Sequence, residues 1–350
     1  MHDIIKEDIN WLIQHTNWEL FRNKKILVTG ASGSIARYVV FYFMALNKSK
    51  DFECYIYALV RNQEKAKQIF GDYLDHPLFH LIIGNVGEKL DYADGMNFIF
   101  HAAGISTSKF FSMNTVEIMR TNLIGTYYLL DRVITNQQQK LDKFIFFSSG
   151  AVYGKLPNLE NSVNENTFFT LDALNDNGVY AESKRSGELL CYSYWREHQL
   201  PVVMARIGHT YGPGIDLNDG HIYSELVNKI ISRQPVIIRN PLDKRPFTYV
   251  RDTVYGLILL ALSGEDGNAY NLWNADEMIS IGKLTHILFK EVFKDRNLQV
   301  FYEGMLYKYD NQMKENIYIK RTDTQKLETL GWKALVDVAE GFYRTVKSFE

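Results

Sequence analysis

From residue 24 onward, short apolar runs alternate with longer stretches in which apolar residues recur at helical spacing. The runs are KKILVTG, CYIYALV, FHLIIGNV, MNFIFHAAG, DKFIFFSS and PVVMARI. Between them the period predicts helices at 35–47, near 63–74, near 115–137 and over YAESKRSGELLCYSYWREHQ. The apolar runs are nearly continuous, the mark of strands covered on both faces, and helical crossovers separate most of them. This predicts an α/β protein built on a doubly wound parallel sheet.

Ahead of the first run, residues 1–21 read as an amphipathic helix with Ile5, Ile9, Leu12 and Ile13 on one face. Beyond about residue 207 the rhythm loosens into turn-rich stretches, YGPGIDLNDGHIY, RNPLDKRPFTYVRD and DEMISIGK. Loops of this kind at the carboxyl ends of sheet strands are where a ligand would be covered. The expected organisation is an extension over 1–23, a dinucleotide-binding and catalytic domain over 24–207, and a mainly substrate-binding part over 208–350 interleaved with it. No internal repeat or low-complexity tract interrupts this plan.

Composition narrows the function. The 350 residues are 46% hydrophobic, enough for a full core, and 39 basic against 41 acidic residues give a net charge of -2. That balance offers no global attraction to nucleic acid or to an anionic membrane surface, so neither partner is expected. Cys54 and Cys191 are too few for a disulfide framework, and no Cys/His spacing suits zinc; no metal site is expected, and a cytoplasmic location is. The run VYGLILLAL is too short to span a bilayer.

The first chemical candidate is TGASGSIA, where a strand turns into a helix. Gly30 allows the tight turn, Gly33 lets backbone amides approach a pyrophosphate, and Ala36 lets helix and strand pack closely. Ser32, Ser34 and Ile35 complete this candidate cofactor site, and the helix amino end supplies positive potential for the phosphates. An ordinary glycine turn is the alternative. The next strand ends ALVRN, so Arg61, with Asn62, stands where NAD-selective proteins place an acid. A guanidinium there pairs with a 2'-phosphate, which favours NADP over NAD, unless Arg61 is simply a surface residue.

The second candidate is YAESK, which stacks Tyr180 and Lys184 on one helix face. A nearby ammonium and a cofactor's positive ring both favour phenolate, so Tyr180 can exchange a proton with a sugar hydroxyl while hydride moves. Ser149, at the end of the preceding strand, can hydrogen-bond the same oxygen. The alternative for the pair alone is a surface contact.

With these motifs in hand, the chain resembles the extended short-chain dehydrogenase/reductase family, in its nucleotide-sugar epimerase/dehydratase branch. The resemblance covers about residues 24–345 through TGASGSIA, HAAG, TNLIGT, SSGAVYG, YAESK, ARIGHTYGPG, RPFTYVRD and DTQKLETLGW, in family order. It implies a Rossmann-like amino-terminal part, a smaller carboxyl-terminal part for a nucleotide-diphosphate sugar, an NAD(P) cofactor, and a homodimer joined through two helices per subunit. Ser149, Tyr180 and Lys184 would be the catalytic triad. Asn85 and Val86 would lie beside adenine, and Ala102, Ala103 and Gly104 would form a wall along the cofactor. Asn122 would support the active-site helix. Toward the substrate stand Ser106, Ser149, Gly150, His209 and Arg245, with Arg245 on the diphosphate. Arg245 could instead pair with Asp243 or Asp252, and His209 could be structural.

The departures bear on the reaction. Relatives that eliminate water or decarboxylate a glucuronate commonly carry acids just after the serine or threonine, where this chain has Gly150 and Ala151. Neither can give or take a proton. The expected activity is therefore hydride transfer at sugar C4 through a 4-keto intermediate, with 4-epimerisation ahead of NADPH-dependent 4-keto reduction. An acid from elsewhere, such as Glu165 or Asp172, would restore dehydration or decarboxylation. A non-catalytic NADP sensor is the remaining alternative.

Overall fold

The computed structural model describes residues 1–50, 52–88, 94–106, 114–135, 140–154, 163–167, 170–172, 174–276, 278–302 and 323–350. Helix α1 (Asp3–His15) precedes β1 (Lys25–Thr29), α2 (Ser34–Lys50), β2 (Tyr55–Val60), α3 (Gln63–Phe70), β3 (Phe79–Ile83) and β4 (Phe98–His101). A segmented helix follows: α4 (Thr115–Met119), a π turn over Arg120–Ile124, and α5 (Gly125–Thr135). Then come β5 (Lys143–Ser149), α6 (Asp176–His198), β6 (Val202–Ile207), β7 (His209–Tyr211), α7 (Ile222–Ile231), β8 (Val236–Ile238) and β9 (Lys244–Tyr249). The chain continues through α8 (Val250–Ser263), β10 (Asn268–Leu272), β11 (Met278–Ser280), α9 (Ile281–His286), β12 (Val300–Tyr302), α10 (Gln325–Glu328) and α11 (Val338–Lys347).

Seven strands form one sheet in the order β10-β6-β5-β4-β1-β2-β3, and all neighbours are parallel. Their apolar runs fill both faces. Ile26, Val28, Ile145 and Phe147 enter one core cluster, while Leu27, Phe144 and Phe146 enter the other. Each such side chain contributes about 1.5–3 kcal/mol of transfer free energy, so a polar intrusion on either face would be costly. The segment beyond residue 208 builds a three-stranded sheet, β11-β9-β7, and the β12-β8 pair. It also returns α8 and β10 to the main layer.

Two expected helices need correction. The one near 63–74 leaves the α conformation after Phe70 for a 3-10 turn at Gly71–Tyr73, where glycine weakens the helix. The one near 115–137 widens into the π turn, and its expected last residues, 136–137, lie outside the described residues. The amino-terminal extension also departs from a purely apolar face. Asp8 is buried with Ile9 and Leu12, whereas Ile5 and Ile13 are only partly covered. Asp8 accepts hydrogen bonds from Tyr38 on α2 (3.1 Å), Tyr249 at the end of β9 (2.8 Å) and Arg344 on α11 (3.0 Å). Burial raises its carboxyl pKa and the Arg344 charge opposes the rise, so α1 is latched by a paired buried charge as well as by apolar contact. Among the described residues no helix is long and apolar enough to cross a membrane.

Candidate active site

Strand order reverses between β1 and β4, which opens a crevice at their carboxyl ends. Gly30 turns the chain there with φ +63°, and a Cβ on it would stand 2.8 Å from Ala103 Cα and 2.9 Å from Ala103 N. Those are backbone atoms that cannot step aside. Ser34 begins α2 with Ile35 behind it, and Gly33 is exposed at the turn, so the helix amino end opens onto the crevice. Arg37 braces the turn from behind, donating to Ser32 O (2.7 Å) and Gly33 O (3.3 Å). Burial draws its pKa down to about 10.

A hydrogen-bonded chain ties this turn to α6, which carries Tyr180 and Lys184. Thr29 Oγ1 accepts from Ala103 N (3.0 Å) and bonds His101 Nδ1 (2.8 Å), whose Nε2 meets Thr126 Oγ1 (3.0 Å). Thr126 donates to Asn122 O (2.6 Å). Asn122, in the π turn, accepts from Ile105 N (2.9 Å) and donates to Ser183 Oγ (2.9 Å), which donates to Tyr180 O (2.7 Å). Burial holds the His101 pKa down at about 3, with the Lys184 charge adding to the effect, so this ring is a neutral relay. The π turn is the local feature that brings Asn122 inward.

Ser149 stands close enough to Tyr180 to act on its phenol, and Ser149 Oγ accepts from Ala151 N (3.1 Å). Lys184 Nζ donates to Phe147 O (2.7 Å) and lies 5.1 Å from the centre of the Phe146 ring. A Cβ on Gly104 would come within 3.0 Å of Asn122 Oδ1 and 3.1 Å of Lys184 Nζ, so a side chain there would press on both groups. The expected lowering of the phenol by its cationic neighbour is corrected here. Burial raises the Tyr180 pKa, and the group opposing the rise is Ser149. Lys184 is itself brought down to about 8 by burial.

Beneath the triad lies a network that the motifs did not single out. Glu188, one turn beyond Lys184, accepts from Ser148 Oγ (2.5 Å) and from Arg206 (Nη2, 2.8 Å), and Arg206 also donates to Tyr153 OH (2.8 Å) and Glu165 O (3.0 Å). The missed signal was a glutamate four residues after the lysine and an arginine inside the apolar run PVVMARI.

Other candidates sit farther out. Arg61 and Asn62 lie at the end of β2. Arg61 Nη1 is 3.8 Å from Glu117 Oε1, and Asn62 caps α3 by accepting from Lys65 N (2.9 Å). Asn85 Oδ1 accepts from Gly87 N (3.1 Å), beside buried Val86. Ala102 follows β4 on the crevice wall, and Ser106 is exposed two residues beyond Gly104. Arg245 pairs with Asp243 (3.0 Å) and not with Asp252, which is taken by Arg251 and the amides of Leu335 and Val336. Arg245 lines a cavity of about 690 Å³ with Glu225, Lys229, Arg239 and Phe301. His209 is near enough for the Arg245 charge to add to burial in lowering its pKa to about 4. Glu165 is occupied, its carboxylate accepting from Asn271 N (2.7 Å), and Asp172 is exposed.

A family model described as the NAD dependent epimerase/dehydratase family matches residues 26–274. The chain belongs to this family. Among curated relatives of this epimerase/dehydratase, UDP-glucuronic acid decarboxylase 3 of Arabidopsis thaliana is 27% identical over 321 residues, covering 91% of this chain and 87% of the relative. The dTDP-D-glucose 4,6-dehydratase of Mus musculus is 27% identical over 342 residues, covering 93% and 88%. Among solved structures, UDP-glucuronic acid 4-epimerase from Bacillus cereus, in complex with UDP-glucuronic acid and NAD, superposes with a TM-score of 0.74 at 22% identity, covering 93% of this chain and all of that one. This chain is thus an enzyme of the epimerase/dehydratase type with a Rossmann-like fold.

Proposed function

We propose that this enzyme interconverts nucleotide-diphosphate sugars at C4 through a 4-keto intermediate, as a 4-epimerase. The observation that carries the reading is the union of Ser149, Tyr180 and Lys184 with Gly150 and Ala151, two positions unable to act as acid or base. Of the two substitutes considered, Glu165 accepts from Asn271 N and Asp172 is exposed.

The turn at Gly30–Gly33, the amino end of α2 at Ser34 and Ile35, and the wall at Ala102–Gly104 suit a nicotinamide dinucleotide, because at Gly30 the backbone of Ala103 leaves no room for a Cβ and the helix amino end favours phosphate. Bound there, the dinucleotide would accept and return hydride. Tyr180 would take the proton of the C4 hydroxyl and give it back. Ser149, close enough to act on the Tyr180 phenol, would hold the same oxygen and fix its distance from the phenol. Lys184, through Phe147 O, would fix the helix against β5 and place a positive charge beside the bound dinucleotide.

Arg245, beside the cavity lined by Lys229 and Arg239, suits the substrate diphosphate. Arg61 supports a preference for NADP, although Glu117 stands near enough to compete for it. The apolar residues exposed on the α4–α5 segment and α6, Val116, Ile124, Tyr127, Leu189 and Tyr192, suit a homodimer formed through those helices.

The test is incubation of the pure enzyme, with NAD or NADP, against UDP-, dTDP-, GDP- and CDP-sugars. A new stereoisomer of unchanged mass, with no net change in reduced cofactor, is expected. Loss of water or carbon dioxide would overturn the reading, and stoichiometric consumption of NADPH would move it to a 4-keto reductase.

A further inference from the structure

Trp273, just past the end of β10, has no part in the chemistry described above. Its side chain is 5% exposed and packs with Val152, Tyr153 and Val163 in a small apolar cluster apart from the two that line the sheet. Two glycines border it. A Cβ on Gly150 would stand 2.2 Å from Trp273 Cζ3, and one on Gly208 would stand 2.6 Å from Trp273 Cβ. Neither glycine has positive φ, so the backbone at both positions would accept any residue. At both positions the nearest atoms a side chain would meet belong to the tryptophan. No polar anchor accounts for its presence: Nε1 is buried and makes no hydrogen bond among the described residues. The indole is held by shape and is there for its volume.

Gly150 directly follows Ser149, the residue that acts on the Tyr180 phenol. A side chain at position 150 would therefore stand one residue along the chain from the group proposed to hold the C4 oxygen. Oxidation at C4 makes the proton on a flanking carbon acidic, and a carboxylate in reach would remove it and start an elimination. We propose that Trp273 is a specificity-determining residue: its indole occupies the space of a side chain at position 150 and sets an apolar wall beside the C5 substituent of the sugar, where an acid or base would redirect the reaction. The proposal rests on the 4-keto reading of the same site.

The experiment compares the native enzyme with Trp273→Ala, Gly150→Asp and the double variant. By thermal unfolding, Gly150→Asp alone is expected to be the least stable or to fail to fold, and the double variant to recover, because the carboxylate enters the space the indole leaves. A double variant no more stable than Gly150→Asp overturns the interlock. In the NAD-loaded protein, binding is then measured with UDP-glucose, UDP-glucuronate and UDP-xylose, which differ only at C5, and with UDP and dTDP alone. Trp273→Ala is expected to change the preference among the three sugars by about tenfold and to leave UDP binding as in the native enzyme. Unchanged preference, or equal weakening of UDP and all three sugars, overturns the role in specificity. Failure of the native enzyme to bind any of these, or any GDP- or CDP-sugar tried beside them, would sink the 4-keto reading itself, and with it the specificity role. That failure is told apart because the thermal comparison needs no ligand.

Discussion

Two glycine-lined places at the carboxyl ends of the sheet strands look alike in sequence and differ in what closes them. At the end of β1, Gly30 has positive φ and meets the backbone of Ala103, so main chain forms the wall and the crevice outside it stays open to a ligand. At the end of β5, Gly150 has an ordinary backbone and meets the indole of Trp273, so a side chain fills the room the glycine leaves. The first glycine is required by conformation and close approach, the second by one neighbour. A small residue beside a crevice thus makes way for main chain in one case and for a partner side chain in the other.

The comparison can be broken at several points. Tyr180→Phe removes the proton carrier without touching either wall, and is expected to cut turnover by roughly 10³-fold while leaving dinucleotide binding and thermal stability near native. A loss of cofactor binding of similar size would make Tyr180 a structural residue. Gly30→Ala is expected to cost more than about 1 kcal/mol of stability and to abolish NAD binding by calorimetry; the same change at a spacious glycine would do neither.

Acid–base behaviour sharpens the contrast between the charged and the apolar wall. With Lys184 brought down to about 8, kcat/KM is expected to fall as pH rises above about 8, well before the ordinary lysine range. Stability is expected to move the opposite way. The unfolded chain binds the extra proton between the folded value and the ordinary one, so ΔG of unfolding rises with pH across that window. A flat profile between pH 7 and 10 would remove Lys184 from the rate. The smallest expected effect belongs to the crevice rim. Arg61→Ser should lower the NADP-to-NAD affinity ratio about tenfold, and a ratio that does not move would leave Glu117 as the sole partner of Arg61.

Much of this was legible in the residues. Continuous apolar runs gave the parallel sheet, and TGASGSIA, SSGAVYG and YAESK lie on the elements their spacing predicted. What stayed hidden depends on contacts between distant parts of the chain. Asp8 on an amphipathic helix reads as a solvated charge until Tyr38, Tyr249 and Arg344 converge on it. The π turn is a one-residue insertion that apolar periodicity does not register. His101 ends a strand as one more buried residue, and its role appears only through Thr29 and Thr126. The direction of the Tyr180 shift was misjudged because spacing reports a neighbouring charge but not burial.

The central claim is that hydride leaves and returns at C4 of the sugar while Tyr180 carries the hydroxyl proton. Its most direct test is conversion of a nucleotide sugar carrying deuterium at C4, in ordinary water, with the product examined by mass and NMR. The account predicts a C4 stereoisomer that keeps the deuterium at C4 and incorporates nothing from solvent into any carbon–hydrogen bond. Product that has lost water or carbon dioxide, or that has taken solvent hydrogen at C5, would contradict it.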